Sequence, residues 1–144
     1  MSAADPFESA VVAAIRANRR KPFGWGRNDC ALFAANIIRE ATGVDLAKGF
    51  RGRYRSEKRG RAIMAEQGWR GLADMVDAFL PRTASPRRGD VCLVRTEQDG
   101  ESYEFLAVTC GRWIWGPAAT QARRAPLDAV AVAWDVRALL GGVI

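Results

Sequence analysis

The spacing of apolar residues divides the chain into a helical first half and a strand-rich second half. Before Pro81, apolar positions recur every three or four residues, which is the period of an amphipathic helix. This period predicts helices at about 6–18, 29–41, 56–67 and 72–80, with a loop over 44–55. Gly43 and Gly68 follow the second and third predicted helices, as expected at helix ends.

Beyond Pro86 the pattern changes to short apolar runs separated by turn sequences. The runs predict strands at 91–94, 105–110, 113–115 and 129–136. Asp99-Gly100, a favoured hairpin pair, lies between the first two strands. Helices followed by an antiparallel meander are the pattern of an α+β domain. We expect one domain over residues 1–144, with its core at about 5–137.

The composition fits a folded protein and argues against other classes. Hydrophobic residues make up 49% and charged residues 26% of the chain, which argues against wholesale disorder. No apolar run approaches the roughly 20 residues that a membrane span requires, so we expect no span. The first residues carry no basic region leading into an apolar stretch, so no signal peptide is readable. Synthesis in the cytoplasm is therefore the expectation.

One cysteine stands where a nucleophile would be placed. Cys30 follows a glycine-punctuated turn and opens the buried face of the second helix, with Asn28 or Asp29 as the N-cap. A thiol at a helix N-terminus faces unpaired backbone N–H groups, which favour the thiolate. The chain contains no histidine, however, so no imidazole can act as its base. Three interpretations stay open: a small packed residue, a reactive thiol without full peptidase chemistry, and a catalytic nucleophile.

The other two cysteines, Cys92 and Cys110, lie in apolar, strand-like stretches and are interpreted as small core residues. The three cysteines lack the close spacing of a metal site, and a zinc site would have no histidine ligand. We therefore expect neither a metal nor a cofactor bound by this chain alone.

The turn at 22–28, the pair Asp29-Cys30 and the sequence RGDV at 88–91 together resemble the NlpC-type cell-wall peptidases, a papain-like superfamily. WGRNDCALFAA at 25–35 and AVAWDV at 131–136 are similar to a group of tail-tip proteins encoded by phages. The resemblance covers about residues 5–137. It implies a papain-like α+β fold in which N-terminal helices pack on an antiparallel sheet formed by the C-terminal half.

The same resemblance implies where a catalytic site would lie. In active relatives a strand histidine takes the proton of the cysteine, a polar residue orients the histidine, and a tyrosine stabilises the oxyanion. By register, Phe23 stands in the tyrosine position, Phe105 in the histidine position and Trp115 in the orienting position. Three aromatic replacements predict a degenerate site, filled either as packed core or as a hydrophobic contact surface.

The chain has a net charge of +6, and six of its cations are concentrated in a basic segment between residues 51 and 61. One acidic residue, Glu57, lies among its six cations, which are Arg51, Arg53, Arg55, Lys58, Arg59 and Arg61. Such a cluster either forms a solvated face or contacts an anionic partner. We treat its residues as partner-binding candidates.

Together these observations predict a phage tail-tip protein with a degenerate cysteine-peptidase fold, made in the host cytoplasm and carried in the virion. In that role it docks on tail hub and tip proteins. The alternative is a cysteine peptidase or amidase that cuts peptidoglycan stem peptides during genome entry, with Cys30 as the nucleophile. Nucleic-acid binding through the basic segment has weaker support because no recognition motif accompanies the charge.

Overall fold

A computed structural model of the protein describes residues 5–143. Residues 1–4 and 144, the ends of the predicted domain, lie outside the described residues. Within this range the chain forms helices first and an antiparallel sheet second, which confirms the predicted α+β class. The helices are α1 (Pro6–Asn18), α2 (Cys30–Thr42), α3 (Glu57–Glu66) and α4 (Leu72–Asp77). The strands are β1 (Arg82–Thr83), β2 (Val91–Gln98), β3 (Glu101–Cys110), β4 (Trp113–Gly116), β5 (Arg123–Pro126) and β6 (Val130–Trp134).

Side-chain caps fix where the first two helices begin. The Asp5 carboxylate accepts the Phe7 N–H at 2.8 Å, and Pro6 occupies the first turn, where a missing N–H costs nothing. Asp29 caps α2, which ends at Gly43 in the left-handed conformation (φ 81°). The observed bounds lie within one residue of those predicted for both helices.

The sheet has the strand order β1-β6-β2-β3-β4-β5. Strands β2, β3 and β4 form the predicted meander, which β5 extends, and Asp99 and Gly100 both have positive φ in the hairpin that joins β2 to β3. The last strand, β6, returns to pair with β2 rather than with β5. Two short strands, β1 and β5, were not predicted because each is basic and lacks an apolar run.

The two faces of the sheet carry different clusters of buried residues. Helices α1 and α2 cover one face, where Phe33, Leu106 and Trp134 are buried in the main core. The opposite face carries a smaller cluster built on Cys92, Val94, Ala107, Ile114 and Ala133. No helix within residues 5–143 has the length and apolarity needed to cross a membrane.

A buried carboxylate joins the turn before β2 to the segment after β6. Asp90 is fully buried and accepts the backbone N–H of Arg87 at 2.7 Å and of Val136 at 3.1 Å. Gly89 precedes it at φ 97°, and an added Cβ would lie 2.7 Å from Phe7 and Val11. The RGDV sequence therefore fixes α1, β2 and the segment directly after β6 relative to one another.

Candidate functional site

Cys30 is the first residue of α2 and packs between this helix and the sheet. It contacts the main core cluster, which includes Leu106 of β3. The residue keeps partial solvent exposure because it borders a groove with a volume of about 950 Å³. The N-terminus of α2 thus presents Cys30 to a groove large enough to hold a ligand.

The residue before Cys30 forms the centre of a buried hydrogen-bond network. Asp29 is only 2% exposed, and its Oδ1 accepts the Leu32 N–H at 3.0 Å. Its Oδ2 accepts the Gly26 N–H at 3.0 Å and the Tyr54 hydroxyl at 2.5 Å. Three donors offset the cost of burying this charge. The Asp29 carboxylate is therefore held in place by the turn, the helix start and Tyr54.

Tyr54 reaches the site because the loop before α3 lies directly on the turn before α2. The Gly52 N–H donates to the Gly26 carbonyl at 3.0 Å. Gly26 adopts φ 77°, and an added Cβ would lie 1.8 Å from the Tyr54 carbonyl oxygen, so only glycine fits. Burial is the main cause that raises the pKa of Tyr54 well above its usual range, and the hydrogen bond to Asp29 is the second cause. Sequence analysis missed Tyr54 because 25 residues separate it from Asp29.

The surroundings of Cys30 disfavour its thiolate. Desolvation is the largest effect, and with the adjacent Asp29 charge it raises the pKa of Cys30 from 9.0 to about 11. The backbone N–H groups of Leu106, Ala31 and Cys30 itself act in the opposite direction but are outweighed. The sequence predicted that the helix N-terminus would favour the thiolate, and this prediction is wrong. Burial raises the pKa of Cys30 by more than the backbone N–H groups at the helix start lower it.

The groove beside Cys30 is lined mainly by apolar and aromatic side chains. It lies between α2, α3, α4 and the hairpin end of β3. Helix α3 has no buried residue, so its inner side remains open to the groove. The large side chains that line it include Trp25, Tyr54, Met64, Trp69, Met75 and Phe79. Trp25 is 39% and Phe79 is 38% exposed, so apolar surface is accessible in the groove that Cys30 borders.

The three aromatic residues predicted at the degenerate site lie in three different surroundings. Phe105 packs in the smaller cluster on the opposite face of the sheet, because successive strand residues point to opposite faces. It therefore cannot occupy the position of a histidine that contacts Cys30. Phe23 packs edge-on against Trp25, with ring centroids 4.8 Å apart, and Trp115 packs against the main core. Neither of them lines the groove, which stays open, whereas Trp115 packs as core, one of the two predicted alternatives.

On the sheet side, Leu106 is 2% exposed and belongs to the core cluster against which Cys30 packs, and its backbone forms a hydrogen bond with the Cys30 thiol. Its apolar side chain can neither accept nor deliver a proton. The predicted register of β3 placed Phe105 beside Cys30, one residue away from Leu106. A shift of one residue along a strand moves every side chain to the other face of the sheet.

Asn28 is not a helix cap, contrary to one of the two predicted alternatives. Its Nδ2 donates to the carbonyls of Lys21 and Pro22 at 3.2 and 3.1 Å. These bonds tie the end of the turn to the backbone at its start. Asp29 is the N-cap of α2. Asn28 therefore shapes the loop that carries Trp25.

The basic segment divides into one internal residue and five exposed ones. Arg51 donates to Asp45 through Nε and Nη2 and to the Asn36 Oδ1 at 2.6 Å, so it is a structural residue and not a partner-binding candidate. Arg53, Arg55, Lys58, Arg59 and Arg61 are all exposed. Arg59 and Arg61 also pair with acidic residues of α3.

The three cysteines are free thiols. Cys92 is fully buried in the smaller cluster, and Cys110 is half-buried against the main core, as predicted from their apolar surroundings. Within residues 5–143, no group of three histidine, cysteine or carboxylate residues is placed to hold a metal ion.

Comparison with solved structures defines the class of fold. The NlpC/p60 domain of the peptidoglycan hydrolase SagA is similar, with a TM-score of 0.55, 16% sequence identity, and coverage of 89% of this chain and 97% of that chain. A likeness at this identity shows the fold alone, and it confirms the predicted NlpC-like fold. The chain belongs to the family described as domain of unknown function DUF6950, whose model matches residues 3–136. Comparison with curated proteins gives no match.

Proposed function

We propose that the protein is a binding domain with an NlpC/p60 fold, without peptidase activity, that serves as a structural component of a phage tail tip. The observation that carries the non-catalytic part is the absence of an acid–base partner for Cys30: the chain contains no histidine, and apolar Leu106 lies in the core cluster against which Cys30 packs. Burial also raises the pKa of Cys30 to about 11, which favours the protonated thiol at neutral pH. The tail-tip part rests on the similarity of the turn and cysteine-helix sequences to phage tail-tip proteins.

The groups around Cys30 do not replace the missing base. Asp29 is occupied by three donors, and the Tyr54 hydroxyl donates its proton to Asp29. Amide cleavage also requires a proton for the departing amine, which an imidazolium supplies in the usual mechanism. A positioned acid–base group contributes about 10² to 10⁴ in rate, so its loss leaves little activity.

The groove and the basic segment supply a docking surface. Tyr54, Gly60 and Arg61 line the groove, so the segment 53–61 forms one of its walls. Exposed Trp25 and Phe79 provide aromatic contact area, which is enriched at protein interfaces. In this role the partner is a tail hub or tip protein with an acidic rim around an apolar projection.

Digestion of purified peptidoglycan fragments tests the non-catalytic part. Wild type and Cys30→Ala should give the same product profile as buffer by mass spectrometry. Release of stem-peptide products by wild type but not by Cys30→Ala would instead establish the rival function, a cysteine peptidase or amidase with an unrecognised base.

Co-purification with the tail hub protein encoded in the same genome tests the docking part. Wild type and Cys30→Ala should both retain the hub protein. Charge reversal at Arg53, Arg55 and Arg59 should release it, whereas equal reversal at exposed Arg16, Arg20 and Arg123 should not. Normal binding by the first variant would rule out the basic segment as the docking surface.

A further inference from the structure

A second basic surface forms where the end of α1 meets the edge of the sheet. The Arg19 carbonyl accepts the Ala122 N–H at 2.7 Å, and the Phe23 N–H donates to the Ala118 carbonyl at 2.8 Å. These bonds hold the loop after α1 alongside the segment that enters β5. Six exposed cations therefore share one border, which we name the basic edge: Arg19, Arg20, Lys21, Arg112, Arg123 and Arg124.

Strand β5 distributes these charges around the edge of the sheet. It pairs only with β4, and its successive side chains Arg123 and Arg124 project from opposite faces. The Arg124 guanidinium stacks 4.1 Å from the centre of the Trp113 ring, which fixes its orientation. The Leu127 N–H donates to the Arg112 carbonyl at 2.9 Å, so Arg112 adds charge at the far end of the strand.

The basic edge is not neutralised by the rest of the described chain. Elsewhere in the fold Arg51, Arg82 and Arg95 contact carboxylates at 2.8–3.0 Å. Within residues 5–143, no cation of the basic edge has a carboxylate partner within 4.0 Å. Glu40, which accepts a hydrogen bond from Asn18, and Asp128 lie at its borders. The basic edge is therefore a surface of uncompensated positive charge, the kind of surface that attracts a polyanion.

We propose that the basic edge binds the phosphodiester backbone of nucleic acid. Five of its six cations are arginine, whose planar guanidinium matches phosphate oxygens in a two-pronged contact. None of the large exposed apolar residues, which are Trp25, Val44, Phe79 and Tyr103, belongs to it. Protein interfaces have an apolar or aromatic centre, whereas nucleic-acid interfaces are polar and strongly positive. The basic edge therefore fits phosphate rather than an acidic protein. This proposal is independent of the tail-tip role and of the segment 51–61.

Fluorescence anisotropy with a labelled single-stranded oligothymidylate measures this binding directly. Affinity should fall as salt rises, with a slope of log K against log salt of about −0.7 for each phosphate neutralised. The Arg123→Gln/Arg124→Gln variant should make the slope shallower by about 1.4 and weaken binding tenfold or more at about 50 mM salt. Because Arg124 also stacks on Trp113, an Arg19→Gln/Arg20→Gln variant provides a second test, with the same expected result.

The matched control is Arg55→Gln/Lys58→Gln, which removes two exposed charges outside the basic edge. It should leave both affinity and slope close to the wild-type values. Three results would overturn the proposal: no binding by wild type at low salt, an equal loss in the control variant, or competition by polyglutamate as strong as that by unlabelled oligonucleotide of equal charge.

Discussion

Replacing Tyr54 with phenylalanine isolates the hydrogen bond that joins the loop before α3 to the cap of α2. The change removes one hydroxyl, which donates to the Asp29 Oδ2 at 2.5 Å, and keeps the ring that packs against Gly60. Asp29 is 2% exposed, so no bulk water can replace the lost donor easily. A hydrogen bond to a buried charge contributes about 1.5–3 kcal/mol to stability.

For a domain of this length, 1 kcal/mol corresponds to roughly 3–4 °C in Tm, so Tyr54→Phe should lower Tm by about 5–12 °C. Thermal unfolding followed by circular dichroism measures the shift. Tyr103→Phe is the matched control, because the Tyr103 hydroxyl also donates to a carboxylate, that of Glu101 at 2.8 Å, but is exposed. The control should shift Tm by less than about 2 °C. Equal shifts in the two variants would refute the role assigned to the buried network.

Three further predictions concern the same region. Gly26→Ala should lose about 3 kcal/mol or more, since it combines positive φ with a collision against the Tyr54 carbonyl, and urea unfolding measures the loss. Arg51→Gln should lower the free energy of unfolding by about 1–2 kcal/mol in the same assay, because it removes hydrogen bonds to Asp45 and Asn36. The control, exposed Arg53→Gln, should change it by less than about 0.5 kcal/mol. Equal losses in the two variants would contradict the structural role of Arg51. Because the folded pKa of Cys30 is raised, ionisation favours the unfolded state, so wild type should lose stability relative to Cys30→Ser as pH rises from 9 to 11.

The parts of the fold that local sequence determines were predictable. Asp5, Pro6, Asp29 and Gly43 mark helix ends by their own backbone and side-chain chemistry, and α1 and α2 match their predicted bounds. The Asp99-Gly100 hairpin follows from the same kind of local rule. Strand β5 escaped prediction because its sequence, Arg-Arg-Ala-Pro, carries no apolar alternation and pairs only through its backbone.

The surroundings of the candidate site were less predictable, because they depend on contacts between distant segments. The position of Cys30 at the start of α2 follows from the turn and cap, but the register of β3 does not. An error of one residue placed Phe105 beside Cys30, where Leu106 lies. Tyr54 and the basic edge are assembled from segments that are far apart in sequence, so no local pattern indicates them.

The central claim, that Cys30 is a protonated, half-buried thiol rather than a nucleophile, is tested most directly by its rate of alkylation as a function of pH. Iodoacetamide labelling, with mass spectrometry of the peptide that contains Cys30, separates it from Cys92 and Cys110. A pKa of about 11 predicts a rate that rises about tenfold per pH unit from 7 to beyond 9 without levelling. In urea the inflection should return to near 9.0. A rate that levels off below pH 8 in the folded protein would show a reactive thiolate and contradict the account.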